Sequence, residues 1–277
     1  NQARANQPEV GPAQTVAWDQ GPLEAAEPSG DRPPNIVFIL LDDLGYNDIS
    51  TFGGGVGVPT PNIDRLAAQG AIFSQAYSGT GTCAPSRAML MTGRHPTRTG
   101  FEYPPTPPGF PQIVGMFARD IQKGSGLPEP TGNLEGTRSE VEFLDMGLPT
   151  AEVTVAEVLK PEGYHNIHIG KWHLGRSKQF RAVSQGFDES LMMHSGLFLN
   201  EDHPGVVNAK LDFDPIDNFL WARMQYAASF NGGAPFEPGG YLTDWWTDES
   251  LRVIEANKNR PFFLYPAHWA PHTPLQA

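Results

Sequence analysis

Four short stretches of this 277-residue chain carry side chains whose types and spacing suit catalysis. Asp42 and Asp43 are adjacent carboxylates directly after an apolar run. Like charges that close repel unless a cation sits between them, and hard oxygen donors suit Ca²⁺ or Mg²⁺. The same pair would also serve as a cap on the turn that follows, Leu44-Gly45. Next comes Cys83-Ala84-Pro85-Ser86-Arg87, with Thr92-Gly93-Arg94 behind it. At about 5% usage per residue type, four fixed letters recur by chance at a given position roughly once in 10⁵. Cys83 is the sole cysteine, so an intrachain disulfide is excluded. Pro85 opens a helix whose N-terminus favours an anion near residue 83, and Arg87 stands one turn along with its fork of donors. Lys171 and His173 are two residues apart, on one face of an extended segment: a cation to hold an anion and an imidazole to move a proton. Acid–base help of that kind is worth roughly 10²–10⁴ in rate. His268 and His272 follow the apolar run 262–265.

Cys83-x-Pro85-Ser86-Arg87 with Thr92-Gly93 resembles the signature of the sulfatase family. The resemblance extends from Asn35 to the end of the chain. It takes in Leu41-Asp42-Asp43-Leu44-Gly45, Gly170-Lys171-Trp172-His173-Leu174-Gly175, Gly186-Phe187-Asp188 and the segment 262–274. It implies that a formylglycine-generating system oxidises Cys83 to an aldehyde after translation. The hydrate has two hydroxyls on one carbon. One attacks sulfur; deprotonating the other expels sulfate, so a hard step is split into two easier ones. The resemblance also implies a Ca²⁺ site, with Mg²⁺ as the alternative, at Asp42, Asp43 and residue 83. Arg87 would hold the hydrate or metal-bound oxygens. Lys171 would contact sulfate, and His173 would be the base for the second hydroxyl. His272, in His272-Thr273-Pro274, would bind sulfate and assist leaving-group departure. His268 has no family counterpart: it lines the pocket or satisfies a backbone carbonyl. Trp172 points away from the site, into the core.

The chain departs from the family in one respect. Ca²⁺ takes six or more oxygen ligands, and the family completes its site with an Asp-Asn-Gly on a later strand and a second lysine. No Asp-Asn-Gly occurs here; Asp217-Asn218 is followed by Phe219 and precedes His272. The expectation is the N-terminal part of a sulfatase catalytic domain. The remainder would be a separate chain or segment, and residues 1–277 alone would leave a sheet edge and apolar surface uncovered. The leading function is a sulfuric ester hydrolase of the arylsulfatase type. Two others stand beside it. One is a phosphonate or phosphate monoester hydrolase of the wider alkaline-phosphatase-like superfamily. The other is an unmodified, non-catalytic anion-binding homologue.

The elements that must position these residues alternate along the chain. The run 35–41 reads as a strand buried on both faces. Thr60-Pro61 starts a helix that Gly70 stops, 71–77 reads as a second strand, and the helix from Pro85 ends at Gly93. Thr154 and Glu157 form a capping box for a helix stopped by Pro161 and Gly163. A strand over 165–169, a helix over 244–258 and a strand over 261–266 complete the pattern. The fold class is therefore α/β; the resemblance makes it a mixed, mostly parallel sheet with helices on both faces, alkaline-phosphatase-like and incomplete. Each chemical stretch except that of Cys83 follows a strand, and strand carboxyl ends form the ligand crevice of open α/β sheets.

Residues 1–33, rich in Gln, Ala, Pro and Glu, read as an arm outside a domain over 34–277. The net charge of −12 argues against a nucleic-acid groove. No apolar run reaches the roughly 18 residues of a membrane span. A start at Asn1 fits the mature end of an exported protein and equally a trimmed chain; a periplasmic, secreted or lysosomal location is expected, with the cytoplasm still open. The 27 prolines and 30 glycines imply long ordered loops. Residues 100–150 and 189–240 read as pocket rim, where Tyr103, Phe110, Phe198 and Trp221 stack on a ring or pack their loops. His95, His165, His168 and His194 read as structural or surface residues. Aryl sulfates, sulfated sugars and glycosaminoglycan ends are all open as substrates.

Overall fold

A computed structural model describes residues 7–25, 32–55, 57–106, 142–211 and 213–277, with isolated positions between 110 and 128. The strands are β1 (Ile36–Val37), β2 (Leu40–Asp42), β3 (His165–Gly170), β4 (Glu189–Gly196), β5 (Asn208–Ala209), β6 (Tyr226–Phe230), β7 (Phe262–Pro271) and β8 (Leu275–Gln276). The helices are α1 (Pro61–Gln69), α2 (Cys83–Thr92), α3 (Pro96–Thr99), α4 (Val155–Leu159), α5 (Pro215–Arg223) and α6 (Leu242–Asn257). The main sheet runs β1-β7-β3-β4-β6, with β2 also on β7. All its pairs are parallel except β4–β6. The mixed, mostly parallel sheet is therefore present.

Strand β7 is its spine. Alternate side chains of a strand face opposite ways. Phe262 and Leu264 join Ile167, Ile169 and the α6 residues Trp246 and Val253 on one face. Phe263 and Tyr265 join Ala84, Ala88 and Met91 of α2 and Ala156 of α4 on the other. Both faces thus carry helices. The capping box is formed: Thr154 N–H donates to Glu157 Oε2 at 2.8 Å, and Glu157 N–H to Thr154 Oγ1 at 3.2 Å.

Several local expectations are corrected. The run 35–41 is split into β1 and β2 and is not buried on both faces. Ile36, Phe38 and Leu40 pack on the core, but Val37, Ile39 and Leu41 are exposed. The reason is its place at the sheet edge, with β7 as its only strand partner among the described residues. Residues 71–77 form no strand, and Phe73 and Tyr77 stand exposed; no described strand lies alongside to take their backbone bonds. The arm reading fails at Val16 and Trp18, which are core residues. Trp18 donates from Nε1 to the buried Glu249 of α6 at 2.6 Å and meets Phe230 edge-on. Phe198 and Trp221 are buried, Phe198 packing its loop and Trp221 standing within helix α5, while Tyr103 is exposed. Most of 107–141 lies outside the described residues.

His168 of β3 is fully buried, with Nδ1 2.9 Å from Ser190 Oγ. Burial, helped by the charge of Arg87, pushes its pKa down from 6.5 to about 3. Between those values the unfolded chain binds the extra proton and the folded chain does not. The stabilisation is present in full above 6.5 and is lost as pH falls toward 3, by about 1.4 kcal/mol per pH unit. In His168→Gln, the slope of unfolding free energy against pH between 6.5 and 4 should flatten by one proton. Urea titrations across that range measure it; an unaltered slope would contradict the assignment.

Candidate active site

The site assembles where β2, β3 and β7 end and α2 begins. Helix α2 starts at Cys83, two residues before Pro85, with Thr82 as its extended N-cap. Pro85 still falls in the first turn, where its missing N–H costs nothing. Ser86 Oγ donates to Thr80 O at 3.0 Å and ties the preceding loop to that turn. Cys83 is a free, half-buried thiol at the helix N-terminus. One turn on, Arg87 is buried. It donates from NH1 to Lys171 O at 2.6 Å, and its NH2 lies 3.4 Å from Asp42 Oδ2. Its Nε and NH2 have no hydrogen-bond partner.

Strand β3 ends at Gly170, whose φ is +105° and where a Cβ would sit 2.1 Å from Ala267 O. Only glycine allows β3 and β7 to approach so closely, and Lys171 N–H then donates to Ala267 O at 2.8 Å. The Lys171 ammonium donates to Asp42 Oδ2 and stands 4.2 Å from the ring centre of Trp269. Burial lowers its pKa, and Asp42 opposes that shift. Trp172 is buried and donates to Phe180 O at 2.7 Å, pointing into the core as expected. His173 is not placed by strand alternation. It adopts a left-handed φ of +61°, as Asp43 does at +63°. Non-glycine residues hold that conformation at a cost and cluster at functional sites. His173 is pushed well below 6.5, first by burial and then by Lys171, Arg87, Arg176 and His272. It is neutral at pH 7, and its Nδ1 has no hydrogen-bond partner.

His272 stacks on Trp269 with ring centres 3.8 Å apart, and its Nε2 lies 3.5 Å from Asp43 Oδ2. Burial and then Lys171 lower its pKa. Asp42, Cys83 and His272 each offer a ligand atom within 4.8 Å of the others. Asp43 adjoins His272 with a side chain 59% exposed. The Asp42 and Asp43 carboxylates are hard donors that suit Ca²⁺ or Mg²⁺ once residue 83 offers oxygen rather than sulfur, whereas the His272 nitrogen of that group does not. His268 stands apart, its ring 6.2 Å from Trp246. It forms no hydrogen bond among the described residues, so it does not satisfy a backbone carbonyl. Trp269 escaped sequence reasoning altogether: in a run of buried aromatics, a residue that holds both a lysine and a histidine looks like ordinary core.

The sulfatase family profile matches residues 34–277. N-acetylgalactosamine-6-sulfatase of Mus musculus is 34% identical over 93% of this chain and 43% of its own length. Arylsulfatase A of Homo sapiens is 33% identical over 88% of this chain and 42% of its own length. The solved structure of Ps i-CgsB in complex with k-i-k-neocarrahexaose superposes with a TM-score of 0.61 at 30% identity, covering 87% of this chain and 46% of the other. The chain thus spans about two fifths of the length of these curated relatives. With the signature on α2 and the family profile running the length of the sheet, this chain belongs to the sulfatase family.

Proposed function

We propose that this site hydrolyses sulfate monoesters. The observation that carries the reading is the convergence of Cys83, Arg87, Lys171, His173 and His272 beside a buried Asp42, with both imidazoles held neutral. Lys171 binds a sulfate oxygen, and Arg87, whose Nε has no hydrogen-bond partner, holds oxygens at residue 83. Residue 83, once converted to the formylglycine hydrate, supplies one hydroxyl to attack sulfur and a second whose deprotonation releases sulfate. His173 takes that second proton; its lowered pKa keeps the lone pair available. His272 faces sulfate through Nε2 and assists departure of the alcohol. Asp42, Asp43 and residue 83 would hold the Ca²⁺ or Mg²⁺, which acts as a Lewis acid toward sulfate oxygens.

Further ligands would come from the rest of a full-length chain. The open side chains of Val37, Ile39 and Leu41 are the surface we assign to its cover. A sulfated sugar is the substrate class we favour, since relatives are named for N-acetylgalactosamine 6-sulfate and seen with a neocarrahexaose. No described helix is long and apolar enough to cross a membrane; an exported or lysosomal location follows the family resemblance.

Two experiments test this. Kinetics on an aryl sulfate and the matching aryl phosphonate should give the larger kcat/KM for the sulfate; the reverse order would favour the phosphonate hydrolase. Among alanine variants assayed on one aryl sulfate, His173→Ala and His272→Ala should each lose roughly 10²–10⁴ in kcat. His268→Ala should lose least, and a larger loss there would show the histidine roles misassigned.

A further inference from the structure

Beyond His173 the chain turns through Leu174 and Gly175 into Arg176. That turn is fixed from both sides. Leu148 N–H donates to Leu174 O at 2.8 Å, and the Trp172 indole donates to Phe180 O at 2.7 Å. Gly175 holds a φ of +123°, and a Cβ there would stand 2.4 Å from Phe180 Cβ. Arg176 leaves the turn exposed, its guanidinium carbon 5.7 Å from the centre of the Phe143 ring. Arg181 closes the turn: its Nε donates to Arg176 O at 3.4 Å and its NH1 to Gly232 O at 3.0 Å.

Strand β4 brings a third group to the same edge. Gly170 of β3 pairs in parallel with Met192, so His194 lies past the level at which β3 delivers Lys171 and His173. Across on β6, Ala228 faces Met193 and Ala227 faces Ser195, which leaves His194 as the extra residue of a bulge. Bulges re-aim a side chain and are frequent beside active sites. The His194 ring is half-buried and forms no hydrogen bond among the described residues. Burial lowers its pKa, followed by the charges of Arg176 and Arg181; the charge of Arg176 also reaches His173. The three side chains thus stand together beside His173.

None of the three pairs with a carboxylate among the described residues. Elsewhere arginines do: Arg94 with Glu152 at 3.1 Å, Arg252 with Glu249 at 2.7 Å and Arg260 with Asp19 at 2.9 Å. Carboxylates are not scarce, with 31 acidic against 19 basic residues. Positive charge left unneutralised beside a reaction centre raises the local potential and draws anions to it. Two guanidiniums and an imidazole suit the oxygens of a sulfate or carboxylate. The sulfate that reacts already has Lys171 and Arg87, so these three are placed for another anion.

We propose that Arg176, with Arg181 and His194, forms a second anion site on the rim of the sulfate pocket, so that the substrate is a saccharide carrying a further sulfate or carboxylate besides the sulfate that is cleaved. This rests on the reading of the site as a hydrolase of sulfated sugars.

Binding is measured by calorimetry on the full-length chain carrying Cys83→Ala, in Ca²⁺ buffer, so that no ligand is turned over. Inhibition of 4-nitrophenyl sulfate hydrolysis is measured on the unaltered chain. Galactose 6-sulfate presents one anion and galactose 4,6-disulfate adds a sulfate. A disaccharide of glucuronate and 6-sulfated N-acetylgalactosamine adds a carboxylate. At least one of the two dianions should bind about tenfold tighter than the monoanion, and the arm that does so names the second group. Arg176→Met keeps an apolar chain beside Phe143 and loses the charge; there the advantage should shrink to within about twofold, and Arg176→Lys should keep part of it. Each comparison is a ratio within one variant, so a general change in the site cancels. No advantage for either dianion would overturn the proposal, as would an advantage that survives both Arg176→Met and Arg181→Met. An Arg176-dependent advantage in a chain that turns over no sulfate ester would retire the proposed function and leave the anion site standing. Turnover of 4-nitrophenyl sulfate without that advantage would do the reverse.

Discussion

Cys83→Ala should abolish sulfate ester turnover, with kcat falling by at least about 10⁴-fold, the scale seen when a covalent nucleophile is removed. The fold should survive. Alanine is the best helix former, and α2 is anchored by Ala84, Ala88 and Met91 rather than by the half-buried thiol. The loss therefore reports chemistry at residue 83. Rate assays on an aryl sulfate, paired with a thermal melt, give the answer. A folded variant with wild-type activity would remove residue 83 from the reaction.

Asp42→Asn should be the most damaging change to the scaffold of the site. Asp42 is the shared counter-ion of Lys171 and Arg87, and the side-chain exposures of the three are 7%, 4% and 2%. Removing one member of a buried charge cluster costs roughly 3–5 kcal/mol, because the charges left behind stay out of water. Asparagine keeps the size and loses the charge, so the effect is electrostatic rather than a cavity. Adding Lys171→Met should return part of the stability and none of the activity, a non-additivity expected of directly contacting groups. Urea unfolding of the single and double variants measures both terms. Unchanged stability in Asp42→Asn would mean that the cluster is solvated.

The parts of the molecule legible in the sequence are those set by local pattern. The apolar runs of β3 and β7, the Thr154–Glu157 box and the α2 signature each carry their own signal within a few residues. What the sequence hid depends on neighbours far away in the chain. Whether the run 35–41 is central or at an edge is decided by what lies beside it, and only β7 does. Val16 and Trp18 lack periodicity, yet the buried Glu249 supplies a carboxylate for the Trp18 indole across 231 residues. Asp217 looked like a misplaced half of an Asp-Asn-Gly, and its partner Thr273 lies 56 residues away. His173 reaches its place through a left-handed backbone that no spacing rule encodes.

The central claim is that residue 83 acts as an aldehyde hydrate made from cysteine. Mass spectrometry of the Cys83 peptide, from a preparation shown to hydrolyse an aryl sulfate, tests it most directly. The account predicts a peptide lighter than the unmodified one by the thiol-to-aldehyde difference and captured by a hydrazine reagent at residue 83. A catalytically active protein whose Cys83 peptide carries only the intact thiol would contradict it.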